Sequence, residues 1–290
     1  MAKPGISPSA WLPLVILPLV VGWTARPLPG WIYMWLLAGS VFAGCKWLVL
    51  ADAVRRGVCG SVGPRMEFLL GWPGMDAVTF LSDVVPSRAP GSEWFMAVGK
   101  LCTGLLLYFV VARRAGGELS QGWIGMIGII FILHFGGFHL LALAWRSCGV
   151  PAQPIMRNPV SATSLGEFWG RRWNVAFNDI AERFVFRPLV RRVGAAWANL
   201  AAFGFSGLLH DLVISVPARG GYGLPTLYFL LQGCGVLFER SGTGRRLGLR
   251  RGWRGWIFTM VVTAGPAFWL FHPAFVRHII VPMMKGTCAL

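Results

Sequence analysis

The sequence predicts an all-α, polytopic integral membrane protein with about seven to eight transmembrane helices. Of its 290 residues, 55% are hydrophobic and only 13% are charged, which is too few polar side chains to cover a water-facing globule of this size. Several apolar runs are long enough to cross ~30 Å of hydrocarbon. Internal repeats, low-complexity tracts and long linkers are not apparent, so we predict a single membrane domain over residues 1–290.

The candidate spans follow one another along the whole chain. They lie at approximately 10–22, 31–50, 94–112, 123–144, 194–216, 223–238 and 256–271. The segment 66–81, MEFLLGWPGMDAVTFL, is interrupted by Pro73 and carries Asp76, which predicts an interfacial or re-entrant piece. The C-terminal AFVRHIIVPMM suggests an eighth, partial pass. The first run lacks a small-residue cleavage site behind it and is expected to remain uncleaved. Lys46 and Lys100 lie in apolar runs and are expected to snorkel.

The distribution of positive charge predicts the orientation of the chain in the membrane. If the spans alternate, nineteen Lys and Arg residues lie on one side and six on the other. The positive-inside rule then places the N-terminus and the loop 146–193 in the cytoplasm. This sidedness accounts for most of the formal charge of +16. Because no soluble basic module is recognisable, we do not expect nucleic acid as a partner. The six Cys are scattered, which predicts neither a disulfide framework nor a metal site.

A polar stretch, SLGEFWGRRWN at 164–174, interrupts this apolar sequence. Ser164 and Glu167 have the spacing of a capping box, which predicts a helix starting at Leu165. The Arg and aromatic residues that follow interleave in the manner of amphipathic helices at the cytoplasmic interface. Arg side chains on such a surface can simply meet lipid phosphates, but this interpretation does not explain why Asn174 lies among bulky aromatic residues.

A second constellation, FGFSGLLHD at 203–211, carries an ionisable residue inside an apolar span. His210 is costly there, so a functional role is the first hypothesis. Ser206 and Gly207 precede it by four and three residues, and a helix places both on the face that carries the imidazole. They would leave room for something beside the ring. The alternative is that these small residues let a neighbouring helix pack closely while His210 bonds across it.

Together these segments resemble a known family. SLGEFWGRRWN, FRPL at 186–189 and GLLHD are similar to the wax synthase branch of the membrane-bound O-acyltransferases, and so are GWPGMD at 71–76 and HFGGFHLLALAWRSCG at 134–149. The similarity covers about 68–239. Two departures are that Asp211 stands where the family usually has Glu, and that relatives often have eight or more spans. The resemblance implies the helical fold of this family and transfer of a fatty acyl group from a coenzyme A thioester to a hydroxyl.

The resemblance also implies roles for individual residues. Members use a His in a membrane-buried tunnel and an Asn or His near the cytoplasmic face, which correspond to His210 and Asn174. A neutral imidazole can act as general base on the alcohol, and an amide N–H can stabilise the charge that develops on the thioester oxygen. At the cytoplasmic mouth we expect contacts to acyl-CoA from Arg171, Arg172, Trp169 and Trp173. The expected tunnel lining includes Ser206, Gly207 and His134.

No cofactor or metal is expected beyond acyl-CoA as substrate, and membrane lipids surround the protein. A long-chain alcohol, a sterol or another lipid alcohol is the expected acceptor, and the sequence leaves its identity and the oligomeric state open.

Two other classes of protein are alternatives to an acyltransferase. GFSG resembles the motif of rhomboid-type intramembrane proteases, with Ser206 and His272 as the dyad. A non-enzymatic transporter is the second alternative, although paired carboxylates and inverted repeats are not apparent in the spans.

Overall fold

The protein is helical throughout the part of the chain that can be described. The computed structural model describes residues 7–58 and 61–290, and within these ranges it contains helices and turns but no β-strand. Lys3, one of the charges from which the orientation is predicted, lies outside the described residues. The all-α class predicted from the sequence is confirmed.

Twelve helices are needed to describe the site. In chain order they are α1 (Pro8–Thr24), α2 (Gly30–Arg55), α3 (Val62–Gly71), α4 (Ala77–Phe80), α5 (Gly91–Arg114), α6 (Glu118–Ser147), α7 (165–172), α8 (Val175–Ala218), α9 (Leu224–Arg240), α10 (Gly242–Arg246), α11 (Gly252–Leu270) and α12 (Pro273–Gly286). The second half of α7, Phe168–Arg172, has π-helical geometry. The loop between α6 and α7 contains one 3₁₀ turn, Pro159–Ser161.

Each predicted span falls on a helix, but fewer helices than predicted have the length of a full span. Among the described residues, α2, α5, α6 and α8 are long and apolar enough to cross a membrane, and α11 with α12 makes a fifth if the bent pair is one span. The helices α1 and α9 have 17 residues each, a length of about 25 Å at 1.5 Å per residue, just short of the hydrocarbon core. By helix length, four or five of the predicted seven to eight spans are identified among the described residues.

The two interruptions foreseen in the sequence are present. The helix α3 ends at Gly71, residues 72–76 are not helical, and Asp76 begins α4 by accepting the Thr79 N–H at 3.1 Å. The Pro73 break is thus confirmed. Near the C-terminus, the predicted partial pass is the helix α12, which bends away from α11 by 58° at Phe271 and His272.

Compact packing divides the chain into two units, and the first comprises residues 1–107 and 127–154. Within it, the Arg146 guanidinium donates to both oxygens of Glu93 at 3.0 and 2.9 Å, which ties α5 to the end of α6. The Trp145 indole N–H donates to the Gly71 carbonyl at 2.9 Å. These contacts hold the segment after α3 against α6.

Lys46 of α2 does not snorkel, contrary to the prediction. Its side chain is 1% exposed, its Nζ donates to the Gly74 carbonyl at 2.8 Å, and the same nitrogen lies 3.1 Å from the centroid of the Phe68 ring. A carbonyl oxygen and an aromatic face are both favourable partners for a buried lysine nitrogen. The non-helical residues 72–76 supply the oxygen, so the break at Pro73 is what lets Lys46 remain buried.

The second unit comprises residues 108–126 and 155–290 and contains α7 to α12. Its centre is the pair of helices α8 and α9. At Gly207 the two backbones come so close that a Cβ would lie 2.6 Å from the Thr226 Cα, a distance no side chain tolerates. This close crossing places the aromatic residues of α9 directly beside those of α8.

The long helix α8 changes direction at one glycine. Gly194 has φ 81° and ψ 166°, a conformation that essentially only glycine adopts. The break separates the Arg-rich part, which precedes it, from the apolar part that carries Ser206 and His210. The predicted span 194–216 therefore begins at a break in the helix.

We expect Gly194→Ala to destabilise the protein by about 1–3 kcal/mol, because alanine is strained at this φ and ψ. Gly204→Ala in the same helix is the matched control. There a Cβ would lie 3.7 Å from the nearest side-chain atom, an ordinary contact, and alanine favours a helix by up to about 1 kcal/mol. Thermal unfolding of the detergent-solubilised variants measures both, and equal midpoints for the two would contradict the strain argument.

Candidate active site

The polar stretch 164–174 forms the capped helix α7, as predicted. The Ser164 hydroxyl oxygen accepts the Glu167 N–H at 3.0 Å, and the Glu167 carboxylate accepts the Thr163 N–H at 2.8 Å and the Arg172 Nε–H at 2.7 Å. Burial raises the pKa of the Glu167 carboxyl, but these hydrogen bonds and the charge of Arg172 outweigh it and hold the pKa below its ordinary value. The Ser164 half of the predicted capping box is confirmed, whereas the Glu167 carboxylate accepts the N–H of Thr163, one residue before the cap.

A buried carboxylate from α9 fixes the N-terminus of α7. Glu239 is 1% exposed, and its two oxygens accept the N–H groups of Leu165 at 2.7 Å and Gly166 at 2.9 Å. These N–H groups have no partner within a helix because they belong to its first turn. The negative charge also lies at the positive end of the helix dipole. The helices α7 and α9 are therefore joined by charge-assisted hydrogen bonds.

The same helix α9 orients Trp169. The indole N–H of Trp169 donates to the Gln232 side-chain oxygen at 3.3 Å, and the Gln232 amide in turn donates to the Val262 carbonyl at 2.8 Å. The ring centroid of Trp169 lies 5.6 Å from that of Phe229. The hydrogen bond at the indole N–H and the contact with Phe229 together fix the orientation of the Trp169 ring.

The backbone explains why an amide follows the aromatic residues. Asn174 has φ 40° and ψ 59°, a left-handed conformation in which asparagine is one of the least strained residues. Its side-chain oxygen accepts the Phe177 N–H at 3.3 Å and so begins α8. Because the oxygen is engaged in this cap, the NH₂ end of the amide is the part of Asn174 that remains for another partner.

His210 lies where α8 changes from α- to π-helical geometry, which begins at Asp211. Its Nδ1 is 2.7 Å from the Ser206 carbonyl oxygen. A carbonyl can only accept, so Nδ1 carries the proton and, in the neutral imidazole, Nε2 keeps its lone pair. The Phe229 ring lies 4.4 Å from the imidazole and Phe177 approaches it edge-on at 6.1 Å, centroid to centroid.

His210 and Asn174 open into one cavity of about 520 Å³, counted to its open mouth. Its walls come entirely from α7, α8 and α9 and their junctions. The lining residues are Trp169, Trp173, Asn174, Phe177, Asn178, Ala181, Ala202, Phe203, Ser206, His210 and Phe229. Of the predicted site residues, the structure therefore brings together His210, Asn174, Ser206, Trp169 and Trp173.

Four other predicted residues do not line this cavity. Gly207 faces Thr226 and serves the close helix crossing instead. His134 belongs to the first unit, where its ring packs edge-on against Phe138. Arg171 is exposed. Arg172 is held in place by Glu167 and also donates to the carbonyls of Arg157 and Asn158 and to the Ser161 hydroxyl.

The predicted protease dyad is not assembled. The Ser206 hydroxyl donates to the Ala202 carbonyl at 3.1 Å. His272 lies with its Nε2 3.3 Å from the Ser215 hydroxyl, and its Nδ1 accepts the Phe275 N–H at 3.1 Å. Because Ser206 and His272 bond to different partners, the nucleophile of the rhomboid-like alternative is not paired with its predicted base.

Asp211 is a structurally important residue that the sequence did not assign. Its carboxylate accepts the N–H groups of Gly223 at 2.8 Å and Thr226 at 3.0 Å, together with the hydroxyls of Thr226 and Ser215. It thereby caps the start of α9 from the residue next to His210. Two features of the sequence could have indicated this role. Asp211 directly follows the intramembrane His, and Gly223 and Thr226 lie 12 and 15 residues after it.

Asn178 is the second residue that sequence reasoning missed. It lies one turn after Asn174 and lines the same cavity, while its Nδ2 donates to the Gly170 carbonyl at 3.3 Å. The spacing of four residues between two asparagines at the start of a helix could have indicated a shared face.

We expect Glu239→Ala to lower the free energy of unfolding by about 2–4 kcal/mol, because it leaves two buried N–H groups without an acceptor. Glu182→Ala is the control. Glu182 pairs with Arg187 at 2.8 Å, but both side chains are largely exposed, so its loss should change stability by less than about 1 kcal/mol. Thermal unfolding in detergent distinguishes the two, and a Glu239→Ala protein as stable as Glu182→Ala would contradict the role of the carboxylate.

Comparison with known proteins agrees with this geometry. Residues 152–231, which contain α7 and most of the cavity, match the Membrane bound O-acyl transferase family. The chain is 33% identical over 175 residues to a long-chain-alcohol O-fatty-acyltransferase of Simmondsia chinensis, covering 53% of this chain and 48% of that protein. It is 30% identical over 220 residues to probable long-chain-alcohol O-fatty-acyltransferase 2 of Arabidopsis thaliana, covering 69% and 62% respectively.

The name of a third relative indicates a different class of alcohol. It is acyl-CoA–sterol O-acyltransferase 1 of Arabidopsis thaliana, 30% identical over 146 residues, which cover 44% of this chain and 40% of that protein. The chain spans about half the length of the curated relatives it matches. The resemblance predicted from the motifs is thus confirmed: residues 152–231 are similar to the Membrane bound O-acyl transferase family, and the chain is similar to long-chain-alcohol O-fatty-acyltransferases.

Proposed function

We propose that this protein transfers a fatty acyl group from acyl-CoA to the hydroxyl of a lipid alcohol within the membrane. The observation that carries the proposal is the pairing, in one largely apolar cavity, of an imidazole with its Nε2 lone pair available and an amide with its NH₂ end available. The names of the relatives support a long-chain alcohol or a sterol as acceptor.

His210 acts as the general base. An alcohol is a weak nucleophile near neutral pH, and Nε2 removes its proton as the oxygen attacks the thioester carbonyl carbon. The C–O bond forms, the C–S bond breaks, and the thiolate of coenzyme A leaves with the proton that the imidazole returns. The Ser206 carbonyl stabilises the imidazolium in between, because Nδ1–H continues to donate to it. The step uses acyl-CoA as its donor and needs no further cofactor.

Asn174 stabilises the developing charge. As the alcohol oxygen attacks, negative charge builds on the thioester oxygen, and a fixed N–H donor in an apolar cavity stabilises it strongly. The cap at Phe177 engages the amide oxygen and so aims the opposite, donating end of the group away from the backbone. The hydrogen bond from the Phe177 N–H to the Asn174 side-chain oxygen therefore has two effects: it begins α8, and it leaves the NH₂ end of the amide as the group offered to the substrate.

Arg171 is the better placed of the two arginines to bind the phosphates of coenzyme A. It is exposed at the end of α7 beside the cavity wall formed by Trp169 and Trp173. Arg172 already donates to Glu167, Ser161 and two carbonyls, so an incoming phosphate would have to displace these acceptors. We propose that Arg171 makes the donor contact and that Arg172 holds the loop before α7.

We expect His210→Ala and His210→Gln each to reduce acyl transfer by roughly 10²- to 10⁴-fold, since glutamine keeps hydrogen bonding but not basicity. Ser206→Ala should keep most activity, because the hydroxyl bonds only to its own helix. The assay is ester formation from labelled acyl-CoA and a long-chain alcohol in membranes with matched protein levels. Robust transfer by His210→Ala would contradict the proposed mechanism, and loss of activity in Ser206→Ala alone would favour a serine-based reaction.

The donor must reach the cavity from the cytoplasm, so we propose that the loop 146–193 faces that side. Cys148 lies in this loop and is exposed. In a variant with the other five cysteines replaced by serine, a membrane-impermeant maleimide should label Cys148 in inverted vesicles and not in intact cells. Arg26→Cys in a variant that also lacks Cys148 should show the opposite pattern. Labelling of Cys148 from outside intact cells would contradict the orientation and the route proposed for acyl-CoA.

A further inference from the structure

The polar side chains of the cavity differ in which of their atoms already take part in a hydrogen bond. The Ser206 hydroxyl donates to the Ala202 carbonyl. Within the described part of the chain, no hydrogen bond engages His210 Nε2, Asn174 Nδ2 or Asn178 Oδ1. The first and third of these atoms are acceptors and the second is a donor, so the cavity presents two acceptors and one donor to a substrate.

Asn178 of α8 is oriented by a main-chain carbonyl of α7. Its Nδ2 donates to the Gly170 carbonyl at 3.3 Å, and the reverse orientation of the amide would bring two oxygens together. This contact turns the side-chain oxygen away from Gly170 while Asn178 remains a lining residue. Asn174, the N-cap of α8, and Asn178, in the first turn of that helix, both line the cavity.

The proposed reaction accounts for two of the three atoms but not for the third. The alcohol hydroxyl donates to His210, and the thioester carbonyl accepts from Asn174. A fatty acyl chain and a long-chain alcohol contain no other hydrogen-bond donor. The remaining donor near the reacting carbon belongs to coenzyme A itself, whose pantetheine arm has an amide N–H three bonds from the sulfur.

We propose that Asn178 is a positioning residue for the acyl donor, whose Oδ1 accepts the thioester-proximal amide N–H of the pantetheine arm. This assignment rests on the proposed acyltransferase function. Asn174 and Asn178 together then hold the thioester at two points, its carbonyl oxygen and its amide, and so fix which face of the carbonyl carbon meets the alcohol on His210. A second hydroxyl on the acceptor has the same donor chemistry and is the competing source.

The test compares two synthetic thioesters with the same fatty acyl group and 1-hexadecanol as acceptor. One is the N-acetylcysteamine thioester, which keeps the amide N–H, and the other is the S-(2-acetoxyethyl) thioester, in which an ester oxygen replaces it. The readout is the ratio of kcat/KM for the amide over the ester donor, measured on the full chain in membranes. Because this ratio is internal to each variant, a partial loss of folded protein does not affect it.

For the wild-type protein we expect a ratio of roughly fivefold to tenfold, the usual effect of one neutral hydrogen bond. Asn178→Leu should bring the ratio close to one. Asn178→Asp retains an acceptor oxygen and should keep a preference for the amide donor. The same ratio in Asn178→Leu as in the wild type would overturn the proposal.

A second comparison separates the two sources of the donor. With one thioester held constant, 1,2-hexadecanediol is compared with 1-hexadecanol. If Asn178→Leu abolishes a preference for the diol and leaves the amide ratio unchanged, Asn178 serves the acceptor and the proposal is overturned. Absence of ester from any thioester, including acyl-CoA, would instead refute the acyltransferase function, and the inference with it.

Discussion

The organisation of the site depends on the buried carboxylate of Glu239, which accepts two backbone N–H groups at the start of α7. The helix that carries Glu239 also carries Gln232, which orients Trp169, and Phe229, which packs on His210. One helix thus supplies a carboxylate cap near one end and packs against the imidazole of His210 near the other. Asp211 completes the arrangement, because it caps the first turn of α9 from the helix that holds His210. Two carboxylates at opposite ends of α9 therefore set the distance between α7 and α8.

Much of this arrangement follows from local sequence rules. Hydrophobic run length predicts the helices, Ser164 and Glu167 predict the cap of α7, and an intramembrane His beside small residues predicts a site at His210. These features depend on neighbours within one or two turns, which a single sequence contains. The positions of Asn174 and Trp169 at the cavity agree with the motif for the same reason, since the motif lies on the wall itself.

The remaining features depend on residues far apart in the chain. Glu239 bonds to residues more than seventy positions earlier, and the acceptor for Lys46 is a carbonyl in a non-helical segment 28 residues away. No spacing rule connects such pairs. Helix length identifies fewer spans than the apolar runs predict, because an apolar run does not reveal where its helix ends: α9 stops at 17 residues. Arg172 appeared similar to Arg171 because composition gives no indication of which guanidinium has found carbonyl partners.

The hydrogen bond between His210 and Ser206 has a consequence for how such a site can diversify. The group that fixes the imidazole tautomer is a main-chain carbonyl on the preceding turn of the same helix, so it persists whatever side chain occupies position 206. No separate acidic residue is required to orient the ring. The surrounding wall of Phe177, Ala202 and Phe229 could then be enlarged or narrowed by substitution without moving the imidazole. In the proposed reaction, proton transfer would therefore depend on the backbone of α8 and the choice of alcohol on the volume of the side chains around it.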